Sequence, residues 1–366
     1  MKSYFFIETI MYPLIPQKIL PLEPAALNDL TQTAMDELLR EGQSHNTLAS
    51  YRSALRYWAA WYGLRYGHQI ALPLPTTCVL QFIVDHAERT TANGLMSELP
   101  AEIDQTLVES GYKGKLGALA HNTLAHRIAV LSKAHQLQAL KNPCHDPQVR
   151  ELLSRTRKAY ARRGVLPQKK EALTKDPLQA ILATCDDTLQ GKRDRALLLF
   201  AWSSGGRRRS EVSSADMKFL RKIPQGFVYT LAYSKTNQSG IQRPENEKPL
   251  LGAAAAALSV WLEVAEITEG RIFRQIRKGG QLGEALGDAS VRNIVKKRCG
   301  LAGLEGDFSA HSLRSGFVTE AGRQNMALAE IMAMTGHHSV ATVLGYSRAG
   351  AALSSGLARL FDGNEP

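Results

Sequence analysis

From residue 24 onward, apolar positions recur at three- and four-residue intervals, the period of helices that bury one stripe. Pro24–Gly42 places Leu27, Leu30, Met35, Leu38 and Leu39 on one face and ends on glycine, a helix-stop signal. His45–Arg65 repeats the pattern with Leu48, Tyr51, Leu55, Trp58 and Tyr62, and interleaves Arg52, Arg56 and Arg65. Pro73 and Pro75 break the chain. Thr76–Ala87, Asn122–Leu140 and Pro147–Arg163 read as further helices, and residues 90–117, richer in glycine and polar side chains, as a loop or a helical hairpin. Gly164 and Pro167 are linker signals that put a domain boundary near residue 168.

Beyond that boundary the pattern changes. Helices at Asp176–Cys185 and Lys192–Ser204, the second with an unbroken apolar centre, lead into a β region around Lys218–Ile223, Phe227–Ser234 and Gln242–Leu250. Thr236–Gly240 supplies a hairpin turn, and helices resume from Ala253 to the end. The expected fold is mainly α. A helical domain at 24–165 and a linker at 166–170 precede an α+β domain at 171–366 with a small three-stranded antiparallel sheet. Residues 1–23 form a leader, expected to be disordered, in which Met11 is an alternative start.

Composition narrows the class. Hydrophobic residues at 44% and charged residues at 22% suit a globular core, and no apolar stretch is long enough to span a bilayer. Cys78, Cys144, Cys185 and Cys299 are scattered without a CxxC pair, which argues against a zinc ribbon or disulfide framework and for a reducing, cytoplasmic setting. Lys and Arg outnumber Asp and Glu by 45 to 34, a net charge of +11. That balance favours a polyanionic partner, nucleic acid before membrane. The excess concentrates near the boundary, where eight basic residues between Arg150 and Glu171 face only Glu151 and Glu171. Arg155, Arg157, Lys158, Arg162 and Arg163 are candidates for phosphate contact, with Arg52 and Arg56, since each such contact adds affinity and salt sensitivity. The alternative is a solvated helix face and a plain tether.

Four groupings carry chemistry. His311 and Arg314 stand three apart, so a helix sets an imidazole beside a guanidinium whose planar fork fits phosphate oxygens. Gly336-His337 lies nine residues before Tyr346, with Ser339 as an N-cap for the helix between them. A tyrosine can attack phosphorus once arginines and a histidine help remove its proton. In Gly205–Glu211, glycines end one helix and arginines begin another, and Glu211 can hold Arg208 at i, i+3. Lys235, between Ser234 and Thr236, sits at the hairpin turn.

Together, GRRRSE at 206–211, SKT at 234–236, HSLR at 311–314, GHHS at 336–339 and Tyr346 resemble the tyrosine recombinase, or phage integrase, family across the C-terminal half. The N-terminal half is similar, more loosely, to the helical core-binding domain of two-domain recombinases of the Cre type. The resemblance implies a core-binding and a catalytic domain that close as a C-shaped clamp on DNA. It implies that Arg208 and Arg314 clamp the scissile phosphate, that Lys235 protonates the leaving 5′ oxygen, and that His311 acts as base toward Tyr346. His337 would hydrogen-bond the phosphate or Tyr346, and Glu211 would support Arg208. A register error of one would shift roles to Arg207 or Arg209, and to His338; the Ser-Glu after Arg209 and the spacing to Tyr346 favour Arg208 and His337.

The implied reaction passes through a 3′-phosphotyrosyl ester and uses neither metal nor cofactor. The implied partners are a double-stranded recombination site and further copies of the chain. These would form a dimer per site and a tetramer at synapsis, from a monomer off DNA, with the enzyme at the bacterial nucleoid. The C-terminal stretch 351–361, with Leu353, Leu357, Leu360 and Phe361 on one face, would dock on a neighbouring subunit or fold back on its own. Only about 24 residues precede the first helix, which leaves no room for an added arm-binding domain and favours a transposon or plasmid resolvase over a lambda-type integrase. The rivals are a DNA-binding protein without catalysis, a type IB topoisomerase or telomere resolvase, and a zinc site built from His121, His126, His135, Cys144 and His145.

Overall fold

The structure, a computed structural model, describes residues 45–165, 170–231, 246–337, 339–341 and 343–345. The leader, the helix expected at 24–42, residues 166–169 of the linker expected at 166–170, the hairpin turn with Lys235, Tyr346 and the tail at 351–361 lie outside the described residues. The chain divides into two compact units, Met1–Pro167 and Gln168–Pro366.

In the first unit, α1 (His45–Tyr66), α2 (Thr76–His86), α4 (His121–Leu137) and α5 (Pro147–Arg162) surround an aromatic core, with a short α3 (Ala101–Glu109) against α1. The buried face of α1 is Ala54, Tyr57, Trp58 and Trp61, while Leu55 is exposed. That corrects the expected stripe by rotating it about one position. The two indoles carry the largest apolar areas, and they set the face: Trp58 stacks on Phe82 at 3.7 Å and Trp61 meets the same ring edge-on at 4.9 Å. Their N–H groups are satisfied, by the Arg127 carbonyl and by Asp85. Residues 90–117 are neither plain loop nor helical hairpin. A β-hairpin, β1 (Arg89–Thr91) and β2 (Gly94–Met96), precedes α3. Asn93-Gly94, with Gly94 at φ +103, is the turn signal that such short strands otherwise hide.

In the second unit, α6 (Lys175–Ala183) and α7 (Leu189–Ser203) lead through α8 (Arg209–Ser213) to an antiparallel sheet of order β3 (Leu220–Ile223), β4 (Gly226–Thr230) and β5 (Glu247–Leu251). The three-stranded sheet matches expectation. Next come α9 (Gly252–Val264), the hairpin β6 (Arg274–Ile276) and β7 (Leu282–Ala285), α10 (Asp288–Leu301), α11 (Ala310–Arg323) and α12 (Leu328–Thr335). The second hairpin corrects the all-helical expectation after Ala253; Gly279 and Gly280, at φ +98 and +85, supply a turn that a helix cannot contain. Residues 196–201 of α7 are buried on every side, which explains the unbroken apolar run, and α9 packs on it through Ala254, Leu258 and Trp261. All four cysteines are buried and unpaired, and burial pushes the Cys144 thiol up to about 12 and those of Cys78 and Cys299 to about 11.

One buried charge network braces this unit. Asp194 on α7 takes Arg193 on one oxygen and Arg298 of α10 on the other, each at 2.7 Å, and Arg298 also donates to the Thr184 carbonyl at 2.6 Å. Removing the carboxylate would leave two guanidinium groups buried without their counter-charge. Asp194→Ala is expected to cost about 3–5 kcal/mol, read as a lower unfolding midpoint in urea; a loss under about 1 kcal/mol would mean that the arginines find other partners.

Candidate active site

Where α7 ends, the chain turns through Gly205 and Gly206 at φ +94 and +70. Such angles cost an L-residue with a side chain about 1–2 kcal/mol, but space is the stricter constraint. A Cβ on Gly205 would lie 2.2 Å from the Met334 carbonyl oxygen, and one on Gly206 would lie 2.3 Å from Arg314 Cα. The pair thus lets the approach to α8, the middle of α11 and the end of α12 meet at one point. Gly316 seats α11 from another side, where a Cβ would fall 1.9 Å from the Leu173 carbonyl oxygen.

The three consecutive arginines part company here. Arg207 is 2% exposed and donates to the Met334 carbonyl at 2.6 Å and to that of Gly205 at 3.2 Å, with Glu211 at 3.7 Å. Burial draws its pKa down to about 10 against the pull of Glu211. Arg208, the N-cap of α8, keeps its side chain 29% exposed and gives one edge of its fork to Glu211 Oε1 at 2.8 Å. Glu211 Oε2 accepts the Arg208 backbone N–H at 3.1 Å. Arg209 is exposed. Arg314 is buried on α11 and donates to the Gly206 carbonyl at 3.2 Å.

The end of α12 is held by two buried cations. Lys248 Nζ donates to the Ala333 carbonyl and Arg207 to the next one, Met334, each at 2.6 Å. Carbonyls at a helix C-terminus lack intrahelical donors and carry partial negative charge, so both contacts are favourable. Gly336 closes the helix in the left-handed region, at φ +68. His337 follows, with Nδ1 at 2.8 Å from Thr335 Oγ1. Its pKa falls to about 4, first from burial, then from Arg314 and Arg208, with Arg207 and His311 adding to the effect. His311 is lowered by burial, then by Arg314 and Arg208. Arg208, Arg314, His311 and His337 therefore share one electrostatic field. The chain is helical at 340–341 and 343–345, just before Tyr346, which with Lys235 is outside the described residues.

Lys248 went unnoticed in the sequence, yet it had a signal. It sits two residues before buried Leu250, at an inward position of a strand whose burial alternates. Among the basic candidates, Arg52, Arg56, Arg155, Arg157, Lys158 and Arg162 are exposed on α1 and α5. Arg155 pairs with Glu151, and Arg56 lies over the Tyr112 ring. Arg163 is half-buried, over the Tyr160 ring and bonded to the Glu88 carbonyl at 3.1 Å, which gives it a packing role. His121, His126 and His135 bond to Leu153, Ser50 and Leu74, well separated along the chain, and among the described residues no His, Cys, Asp and Glu group could hold a metal.

The chain is similar to known proteins in sequence and fold. The phage integrase family model matches residues 171–352. An integrase/recombinase XerD homologue of Selenomonas ruminantium is 30% identical over 319 residues, which covers 85% of this chain and 84% of the relative. Among solved structures, a lambda integrase dimer bound to a core site has a TM-score of 0.51 at 16% identity, covering 86% of this chain and 93% of that one. The Tn1549 transposon integrase in complex with transposon right end DNA has a TM-score of 0.51 at 15% identity, covering 89% and 97%. Both likenesses are of fold.

Two outcomes are expected. Gly206 and Gly303 have similar φ, +70 and +65, but a Cβ on Gly303 meets nothing within 4 Å. Gly303→Ala should therefore cost only the backbone term of about 1–2 kcal/mol, and Gly206→Ala clearly more in urea unfolding; equal losses would refute the close approach. Because the His337 pKa is about 4 in the folded chain, the unfolded chain takes up that proton first as pH drops below its ordinary value near 6.5. Stability should thus fall between about pH 6.5 and 4, and His337→Gln should flatten that slope in thermal unfolding.

Proposed function

The chain belongs to the phage integrase family, and from that premise we propose that Tyr346 is the nucleophile with which it cuts DNA. The chain is a tyrosine site-specific recombinase. In this reading residues 24–165 grip the core of the recombination site, 166–170 link, and 171–366 carry the chemistry. Tyr346 Oη bonds to the scissile phosphorus and its proton passes to His311. The bond from phosphorus to the 5′ oxygen breaks, and Lys235 protonates the oxygen that leaves. A 3′-phosphotyrosyl ester and a 5′ hydroxyl result. One phosphoester replaces another, so the bond energy is kept, and attack by the 5′ hydroxyl of a partner strand reverses the step.

The observation that carries this reading is the shared field of Arg208, Arg314, His311 and His337 around one junction. Two guanidinium groups that act on the same pair of histidines would suit the extra charge of a five-coordinate phosphorus more than that of the ground state. Arg208 is favoured over Arg207 because Arg207 is committed to the carbonyls of Gly205 and Met334, whereas Arg208 has a solvent-facing edge. Exposed Arg52, Arg56, Arg155, Arg157, Lys158 and Arg162 would supply phosphate contacts in the N-terminal unit. The partner is a pair of double-stranded sites on a mobile element, held by a tetramer with a dimer on each site.

A nicked suicide substrate tests the assignment. Wild type should leave a covalent protein–DNA adduct in denaturing gels, and Tyr346→Phe none, with binding to intact site DNA retained. Arg314→Ala and Arg208→Ala should slow adduct formation by about 10²–10³-fold, the usual cost of one preorganised charge-stabilising donor. An adduct in Tyr346→Phe would show that another residue attacks.

A further inference from the structure

Thr335 is the last residue of α12, buried and two positions before His337. Its hydroxyl donates to the Ile331 carbonyl at 2.7 Å, a backbone contact one turn back. A carbonyl oxygen only accepts, and a threonine hydroxyl has one proton, so that proton is committed. What Oγ1 turns toward His337 Nδ1, 2.8 Å away, is a lone pair. Nδ1 must therefore carry the proton in this contact. In a neutral imidazole the other nitrogen is then bare.

We propose that Thr335 is a positioning residue that locks His337 in the Nδ1–H tautomer, so that Nε2 is the nitrogen with which His337 acts. This rests on the reading of His337 as an active-site residue given above. A bare Nε2 accepts a hydrogen bond. It can therefore take one from a tyrosine hydroxyl, but it must gain a proton before it can donate to a phosphate oxygen. Of the two partners proposed for His337, a bare Nε2 is matched in its hydrogen-bonding chemistry to the hydroxyl of Tyr346. The neutral state follows first from the burial of His337 and then from its neighbours: Arg314, Arg208 and Arg207 add positive charge, with His311 alongside, and Glu211 is occupied by Arg207 and Arg208. The other supports are already placed: Lys248 and Arg207 hold the carbonyls of Ala333 and Met334, so the turn that presents both Thr335 and His337 is fixed from two sides.

The test uses the full chain labelled with ¹⁵N-histidine and two-bond ¹H–¹⁵N correlation spectra near neutral pH, with His337→Gln identifying the signal. Wild type and Thr335→Ser, which keeps the hydroxyl, should both show a protonated Nδ1 and a bare Nε2. Thr335→Val, which keeps shape and loses the hydroxyl, should shift the proton to Nε2 or to a mixture. On the suicide substrate, Thr335→Val should slow adduct formation on the order of tenfold, less than the roughly 10⁴-fold loss when a triad histidine takes the wrong tautomer, and Thr335→Ser should restore it. A proton on Nε2 in wild type overturns the proposal, as does an unchanged tautomer in folded Thr335→Val. A tautomer that follows residue 335 while adduct formation stays unchanged upholds the lock and sinks the placing of His337 in the reaction.

Discussion

Everything about the candidate site hangs on a backbone with no side chains between Gly205 and Gly206. Helices normally approach no closer than their side chains allow, about 8–10 Å between axes. Here a carbonyl of α12 and a Cα of α11 come within bonding-scale distance of where a Cβ would stand. Segments more than a hundred residues apart in sequence are thereby pinned to one point, and three polar groups on them, Arg208, Arg314 and His337, inherit their proximity from it. The chemistry proposed for the site needs a cluster of positive charge, which repels itself, and close backbone packing is what keeps that cluster from spreading.

The surrounding charges divide into those bound to backbone carbonyls and those with an edge left open. Arg207 and Arg208 are neighbours with the same side chain, and burial alone separates them: one is consumed by carbonyls, the other is braced by Glu211 with an edge left open. Lys248 belongs with Arg207. A helix terminus offers carbonyls that must find donors, and filling them with buried cations serves two ends at once. It satisfies the terminus, and it places positive charge close to His337, adding to the field of Arg208 and Arg314. Glu211, serving both arginines, keeps the local charge from growing without limit.

The positions of most helices and of the three-stranded sheet were legible because long, strongly periodic segments bury a continuous stripe. The two hairpins at 89–96 and 274–285 were not, since three- and four-residue strands give too few repeats to fix a period. The face of α1 was misjudged because apolar residues nearly encircle it, and which ones go inward is decided by how two indoles fit against Phe82. In the site, spacing marked Arg208, His311, Arg314 and His337. It could not mark Thr335 or Lys248, whose roles exist only through backbone carbonyls of α12. A carbonyl is identical at every position, so nothing in the residue types signals which one will need a donor.

The buried thiols have a practical corollary. Reactivity toward electrophiles and disulfides belongs to the thiolate, and burial raises the pKa of all four cysteines, which are also shielded from solvent. The native thiols are therefore expected to react slowly with maleimides. A single cysteine introduced at an exposed position would be the one site that takes a dye or a spin label, with no need to strip the four native ones from the core first.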